Sequence, residues 1–331
     1  SFMPNGFSGV MAAVSGVFFA YIGFDAVSVL AEESKNPQRD LPRGMIYSLV
    51  ICTVVYILLT LVLTGAVHYK NFDGVGDPLA FIFEAQNLNV AWMQILVAIC
   101  AVVAMTSVLL VFQMGQPRIW MSMSRDGLMP PVFQKIHKKY KTPSFATIVT
   151  GFVVGAPILF TDKTFVLDFT SIATLFAFVL VCGGVLLIPR KEKIAGKFNL
   201  PHFNGQFIFP VFVIAAIAII SLYVKGYWQE LFNFDFSSNE DYTSGKASFM
   251  DVATPKIALL IFWATCILLA VFAFIKKYSL IPLMGLTTCL YLLTGMTKNN
   301  WAWFLGWLAI GLVIYFMYGY NKSKLAAQQA S

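Results

Sequence analysis

Charged residues are scarce in this 331-residue chain: Asp, Glu, Lys and Arg together make up 12% of it, whereas 58% of the residues are hydrophobic. Soluble domains carry about 25% charged residues, so a soluble globular protein is excluded. The mean hydropathy of +0.74 instead indicates an integral membrane protein. The net charge of +7 does not require a nucleic-acid partner, because basic loops facing an anionic membrane surface account for it.

Signatures of catalysis and of metal binding are also missing. His68, His137 and His202 have no metal-ligand spacing, and the chain has no GxSxG, GxGxxG or phosphate-loop pattern. The five cysteines lie singly in apolar runs, which predicts buried thiols rather than disulfides or metal ligands. We therefore expect no enzymatic activity, no cofactor and no metal site.

Long apolar runs recur along the whole chain. A helix needs about 20 apolar residues to cross a hydrocarbon core of about 30 Å, whereas a transmembrane barrel would show short alternating segments. The predicted fold class is therefore an all-α integral membrane protein with about nine transmembrane helices. The predicted spans are 10–31, 45–67, 92–115, 144–160, 166–188, 207–225, 257–275, 279–296 and 301–319.

The distribution of basic residues predicts the orientation. If the loop 32–44 is cytoplasmic, 17 of the 23 Lys and Arg residues fall on the cytoplasmic side, as the positive-inside rule requires. The N-terminus of the chain is then outside and the C-terminus cytoplasmic. Because the chain opens on Ser1 without a visible signal peptide, we expect a further segment upstream.

Two loops are predicted to contain helical structure. The segment 78–88 begins with a proline and is amphipathic, which favours a short helix at the outer interface. The segment 117–142 predicts that the third membrane helix is prolonged into the cytoplasm and stops at Gly127 and Pro130.

The first predicted span combines small residues with an acid. Small residues recur every three or four positions from Gly9 to Gly23, so one face of the helix allows another helix to come close. Asp25 follows, and an acid at membrane depth must face protein or water. Gly23 also allows the backbone to leave the helix. Two interpretations stay open: a packing seam in a continuous helix, or an interrupted helix that exposes backbone groups to a substrate.

Two longer motifs resemble those of one known family. The stretch FFAYIGFDAVSVLAEESKNPQRDLPRGMIYSLV, residues 18–50, is similar to the sixth transmembrane helix and following loop of the cationic amino acid transporter family. The stretch GQPRIWMSMSRDGLMP, residues 115–130, resembles the loop after the eighth helix of that family. The family belongs to the amino acid–polyamine–organocation (APC) superfamily.

The resemblance implies a LeuT-type fold, in which two inverted repeats of five helices are followed by extra helices. Residues 1–190 would form the second repeat, from family helix six to helix ten, and residues 191–331 four accessory helices. Family helices one to five are absent from this chain. The missing N-terminal five-helix repeat is therefore an expected partner.

The resemblance also implies a substrate site on the first span. The interruption is expected at Phe19, Ala20, Tyr21, Ile22 and Gly23. The carbonyl groups of Phe19, Ala20 and Ile22 would bind the α-ammonium group of an amino acid. Phe24 would close over the substrate, or alternatively pack between helices.

The wall opposite this site is expected on family helix eight, at Met105 and Thr106. Met105 would narrow the pocket, which favours small or medium neutral amino acids over arginine, or else it fills a gap in the core. Thr106, with Ser107 beside it, could form a sodium site or bond a carbonyl group of its own helix. The resemblance favours proton coupling, with sodium as the less favoured ion.

Acidic residues near the first span have two expected roles. Asp25 caps the amide groups at the start of the second half-helix, or alternatively carries a proton or contacts a cationic substrate. Glu32 and Glu33 could pair with Arg118 or Arg125 as a cytoplasmic gate, or form a solvated acidic turn.

The expected function is that of a secondary active amino acid permease, with the substrate bound at the interrupted helix and access alternating between the two membrane faces. The expected partners are an amino acid, a proton and the lipid bilayer of a bacterial inner membrane. The alternative is a non-transporting membrane scaffold or partial paralogue that lacks the first repeat.

Overall fold

The structure is a computed structural model that describes residues 6–24, 28, 34–72, 74–84, 88–188, 203–235 and 248–323. These residues form helices and no β-strand. The α-helices are α1 (Gly6–Phe18), α2 (Pro37–Ala66), α3 (Pro78–Phe81), α4 (Ala91–Arg125), α5 (Ser144–Ile158), α6 (Lys163–Leu187), α7 (Gly205–Tyr223), α8 (Tyr227–Phe232), α9 (Phe249–Lys276), α10 (Leu280–Thr294) and α11 (Lys298–Ile314). A π-helical turn, Tyr315–Gly319, continues α11 and a short helix, Tyr320–Lys322, follows it.

Six helices in the described part of the chain are long and apolar enough to cross a membrane: α2, α4, α6, α7, α9 and α11 with its π-helical turn. The apolar helices α5 and α10 are shorter, with 15 residues each. Each predicted span overlaps one of these helices or α1. The prediction of an all-α integral membrane protein is therefore confirmed.

Two membrane helices begin earlier than predicted. α2 starts at Pro37 rather than at residue 45, and α9 starts at Phe249 rather than at residue 257. Both helices contain a proline, Pro42 or Pro255, within their first two turns. A proline there removes one hydrogen bond without ending the helix, so both helices extend further toward the N-terminus than the predicted spans.

Local hydrogen bonds stabilise both early starts. The Asn36 carbonyl group before α2 accepts hydrogen bonds from the N–H groups of Arg39 and Asp40, at 3.1 and 2.9 Å. Ser248 and Asp251 form a capping box at the start of α9. Such a box bonds two N–H groups that would otherwise have no partner within the helix.

The predicted continuation of α4 past residue 117 is confirmed, and its cytoplasmic location stays a prediction. The helix runs for 35 residues and ends at Arg125, which at 1.5 Å per residue is about 52 Å, well over the hydrocarbon thickness of about 30 Å. Gly127 then takes a φ of +85°, a value that favours glycine. The Ser124 hydroxyl donates to the Pro130 carbonyl at 2.7 Å and holds the turn against the helix.

The helix predicted at 78–88 is shorter than expected. α3 covers only Pro78–Phe81, where the Asp77 carboxylate accepts from the N–H groups of Leu79 and Ala80 at 3.2 Å each. Residues 82–84 are not helical, and the Leu88 N–H group donates to the Ile82 carbonyl at 3.1 Å, which is not the bond between residues four apart of an α-helix. The helix is therefore shorter than predicted.

The chain divides into two compact units. The first contains residues 1–22 and 161–313, and the second contains residues 23–160 and 314–331. In the first unit α10 packs against α6 and α9 packs against α7, whereas in the second unit α4 packs against α5. The division into 1–190 and 191–331 implied by the family resemblance stays a prediction.

The core of the first unit consists of two clusters of buried apolar side chains. One joins α7, α9 and α10 around the fully buried Phe209 and Leu283. The other joins α6, α10 and α11 around Ile172, Leu175 and Phe304. Lipid tails are as apolar as leucine, so van der Waals packing rather than the hydrophobic effect holds such helices together within the membrane.

Cysteine burial differs from the prediction. Cys266 is buried, but Cys182 and Cys289 are half-buried and Cys52 and Cys100 are exposed. The last two lie on α2 and α4, whose apolar spans have no buried residue in the described chain. A membrane helix is apolar on its outer surface as well, so an apolar sequence context does not imply burial.

Candidate functional site

The first predicted span stops being α-helical in its middle. α1 ends at Phe18, and a single 3-10 turn, Phe19–Tyr21, follows it. The Ile22 N–H group donates to the Phe19 carbonyl at 3.1 Å, and Ile22 itself is extended, with φ −62° and ψ 130°. The helix therefore ends in the segment where the resemblance implies an interruption. Most of the span after residue 24 lies outside the described residues.

Gly23 explains why the chain can leave the helix at this point. Its φ of +125° lies in a region that residues with a side chain rarely adopt. A Cβ atom added there would meet only Phe112 Cζ, at 3.9 Å, an ordinary van der Waals distance. The requirement for glycine thus comes from the backbone conformation and not from crowding.

The end of α1 is held in place by aromatic packing within the first unit. The Phe18 ring lies edge-on to Phe178 of α6, with ring centroids 6.3 Å apart. Val14 and Phe18 also pack against the core cluster of α6, α10 and α11. A carbonyl oxygen has two lone pairs, so a group that already accepts one hydrogen bond can accept a second. The carbonyl groups at the end of α1 lie in a segment whose position is fixed by the core, which suits the binding of a cation by carbonyl dipoles.

Met105 and Thr106 lie on α4 in the second unit. Met105 is 60% exposed, so it fills no core gap among the described residues. The Thr106 hydroxyl donates to the Val102 carbonyl group of its own helix at 2.8 Å. This is the arrangement that the sequence left open as the alternative to a sodium site. Phe112, the neighbour of Gly23, follows Met105 by seven residues and therefore lies about 10 Å further along the same face of α4.

Comparison with protein families shows to which family the chain belongs. Residues 1–233 match the family model described as amino acid permease. This match covers more than half of the chain and includes both the end of α1 and the whole of α4. The chain belongs to the amino acid permease family. This places it in the APC superfamily of amino acid transporters, as the two sequence motifs indicated.

Curated relatives of this chain are transporters by name. The branched-chain amino acid permease BcaP of Bacillus subtilis is 41% identical over 191 residues, which are 58% of this chain and 41% of the relative. The methylthioribose transporter of the same organism is 38% identical, over 60% of this chain and 43% of the relative. The vacuolar cationic amino acid transporter 2 of Arabidopsis thaliana is 37% identical, over 58% of this chain and 30% of the relative.

The chain spans less than half the length of these three relatives. No solved structure matches it. The family assignment therefore comes from sequence, and the conformation of the site comes from the helices described above.

The basic residues of the expected cytoplasmic gate lie near the end of α4. Arg118 is half-buried and Arg125 is exposed, with its Nη2 atom 3.8 Å from Met121 Sδ. Both line a cavity of the second unit. Asp25, Glu32 and Glu33 lie outside the described residues, so the gate and the cap stay predictions.

Tyr21, Ile22 and Phe24 are half-buried, whereas Phe19 and Ala20 are exposed. Phe19 to Ile22 belong to the first unit, and Phe24 belongs to the second. In the residues that the structure describes, no group of three or more His, Cys, Asp or Glu side chains is placed to hold a metal ion.

One polar pair on the membrane helices was missed by the sequence reasoning. The Asn300 Nδ2 atom of α11 donates to Asp168 Oδ2 of α6 at 2.9 Å. Asn300 is buried and Asp168 is half-buried. An acid inside an apolar span is itself a signal, but the pairing of residues 132 positions apart has no local signature.

Proposed function

We propose that the complete protein is a secondary active amino acid permease that works by alternating access. The observation that carries this proposal is the end of α1 at Phe18–Gly23, inside the region that matches the permease family. The carbonyl groups of Phe19, Ala20 and Ile22 bind the α-ammonium group of the substrate. Carbonyl dipoles replace the water that a buried cation loses. Phe24 closes over the bound amino acid.

The proposed substrates are small or medium neutral amino acids. Met105 is apolar and carries no charge that would pair with a cationic side chain. A relative named as a branched-chain amino acid permease supports this choice. Other relatives are named for methylthioribose or cationic amino acids, so the choice among substrates rests on Met105 and needs a direct test.

The proposed coupling ion is a proton. Sodium is the less favoured ion. The hydrogen bond from the Thr106 hydroxyl to the Val102 carbonyl accounts for this polar side chain without an ion. In this proposal Asp25 caps the second half-helix of the interrupted span. Glu32 or Glu33 pairs with Arg118 or Arg125 when the cytoplasmic gate closes.

The proposed architecture is a LeuT-type transporter in the inner membrane of a bacterium, with the N-terminus of this chain outside and its C-terminus cytoplasmic. Residues 1–190 form the second repeat and residues 191–331 four accessory helices. An N-terminal repeat of five helices completes the site with a second interrupted helix that binds the substrate carboxylate. The exposed apolar surfaces of α2 and α4 support contacts with that repeat and with lipid.

Uptake by the complete protein in liposomes tests the proposal. Labelled alanine, leucine, lysine and arginine are compared with and without an inward proton gradient, and a sodium gradient serves as the control. We expect gradient-dependent uptake of alanine and leucine and little uptake of arginine. If folded protein, verified by its helix content, takes up none of the four, the non-transporting scaffold becomes the better account.

A further inference from the structure

A basic cavity in the second unit is separate from the residues assigned to the amino acid, although Arg118 and Arg125, proposed above for the cytoplasmic gate, are among its lining residues. It lies between α4, the loop 131–143 and the start of α5, and has a volume of about 430 Å³, within the range of about 300–1,000 Å³ typical of ligand pockets. Arg118, Arg125 and Lys141 line it, and none of the lining residues that the structure describes is acidic. Leu110 and Met114 form part of its apolar wall.

The lining residues on α4 change from apolar to basic along one helix face. Leu110, Met114 and Arg118 are spaced by four residues, so they share a face. Arg125 follows after two further turns. Because α4 is longer than the membrane is thick, this face passes from the hydrocarbon region to the polar interface. An amphiphile has the same order, with an apolar chain followed by a polar headgroup.

Lys141 extends the positive charge from the other side of the cavity. Its backbone has a φ of +55°, and its N–H group donates to the His137 carbonyl at 2.9 Å. The His137 N–H group in turn donates to the Thr142 carbonyl at 2.8 Å. These bonds fix the loop backbone on either side of Lys141. The Lys141 side chain therefore leaves a fixed backbone position on the wall of the cavity that Arg118 and Arg125 also line.

We propose that this cavity binds the headgroup of an anionic phospholipid. The phosphate receives charge-assisted hydrogen bonds from Arg118, Arg125 and Lys141, and one acyl chain lies along Leu110 and Met114. Each guanidinium group has five N–H donors, so it binds a phosphate oxygen beside the contacts that it already makes. The proposal depends on the membrane location of α4 and not on the identity of the transported solute.

The test compares lipids that share their acyl chains but differ in charge. Phosphatidylglycerol, phosphatidylcholine and inorganic phosphate are each titrated into the complete protein in detergent, and bound molecules are counted by native mass spectrometry. We expect phosphatidylglycerol to bind at lower concentration than phosphatidylcholine, and inorganic phosphate not to bind in the same range. Equal binding of the two lipids, or binding of phosphate alone at the phosphatidylglycerol concentrations, would overturn the proposal.

Two lysine variants of one loop locate the site. Lys141→Gln removes a charge that lines the cavity, and Lys139→Gln removes an equal charge from an exposed lysine that lies over the Tyr140 ring, 5.5 Å from its centroid. A basic residue near an anionic lipid contributes roughly a fivefold change in affinity. We expect about that loss for Lys141→Gln and less than about a twofold loss for Lys139→Gln. Equal losses would show binding to diffuse loop charge and would contradict a site in the cavity.

Discussion

Replacing Gly23 with alanine tests whether the observed end of α1 matters for transport. The added Cβ atom has room, because its nearest neighbour is Phe112 Cζ at 3.9 Å. The φ of +125° is nevertheless unfavourable for alanine. Holding a residue with a side chain in a sparsely populated backbone region costs about 1–3 kcal/mol. The variant can avoid this strain only by changing the conformation of residues 19–23.

Such a change moves the carbonyl groups that we propose bind the ammonium group. A strain of about 1–3 kcal/mol lowers the population of the binding conformation about 5- to 150-fold. We expect kcat/KM for leucine uptake to fall by about that factor, while helix content stays the same. The measurement is the initial rate of labelled leucine uptake into liposomes over a range of concentrations, at equal amounts of folded protein.

The matched control is Gly306→Ala. Gly306 lies in α11, and an added Cβ atom there meets nothing within 4 Å. Alanine is favoured over glycine in a helix by about 1 kcal/mol, so this variant should transport leucine like the unmodified protein. If Gly23→Ala also transported leucine at the unmodified rate, the link between the backbone of Gly23 and the substrate would be refuted.

Two further predictions concern stability, measured as unfolding of the complete protein in detergent. Asn300→Leu leaves the half-buried Asp168 carboxylate on α6 without its amide donor and should destabilise the protein by about 1–3 kcal/mol. The control Asn299→Leu, at an exposed position, should change stability by less than about 0.5 kcal/mol. Equal effects of the two substitutions would contradict a stabilising role of the Asn300–Asp168 hydrogen bond. Gly205→Ala places a Cβ atom 2.9 Å from the Tyr278 carbonyl oxygen and should cost about 1–3 kcal/mol. A Cβ atom added at Gly183 meets nothing within 4 Å, so Gly183→Ala should be tolerated. If Gly205→Ala and Gly183→Ala unfolded at the same temperature, the predicted steric clash at Gly205 would be contradicted.

The fold class could be predicted because a membrane sets the length and composition of a spanning helix. The helix starts were predicted less accurately than the fold class. The predicted spans began at residues 45 and 257, whereas α2 and α9 begin before Pro42 and Pro255, because a proline in the first two turns interrupts little hydrogen bonding. The Ser248 and Asp251 pair was a readable signal for the true start of α9, since a capping box has a fixed spacing of three residues.

The candidate site could be predicted only in part. The small residues before Gly23 were compatible with either a continuous helix or an interrupted one, because glycine without a nearby proline fits both. The backbone of Gly23 identifies the end of the helix. The contacts that hold this end and the neighbouring helices, Phe18 with Phe178 and Asn300 with Asp168, join residues far apart in the chain. No local sequence pattern specifies such pairs.

The central claim is that the carbonyl groups at the end of α1 bind the α-ammonium group of a neutral amino acid. Competition against labelled leucine uptake by the complete protein tests it most directly, with unlabelled leucine and 4-methylpentanoate as competitors. The second compound lacks only the α-amino group, so it leaves the carbonyl groups without their cation. We predict that it inhibits at least about 100-fold more weakly than leucine. Equal inhibition by the two compounds would contradict the claim.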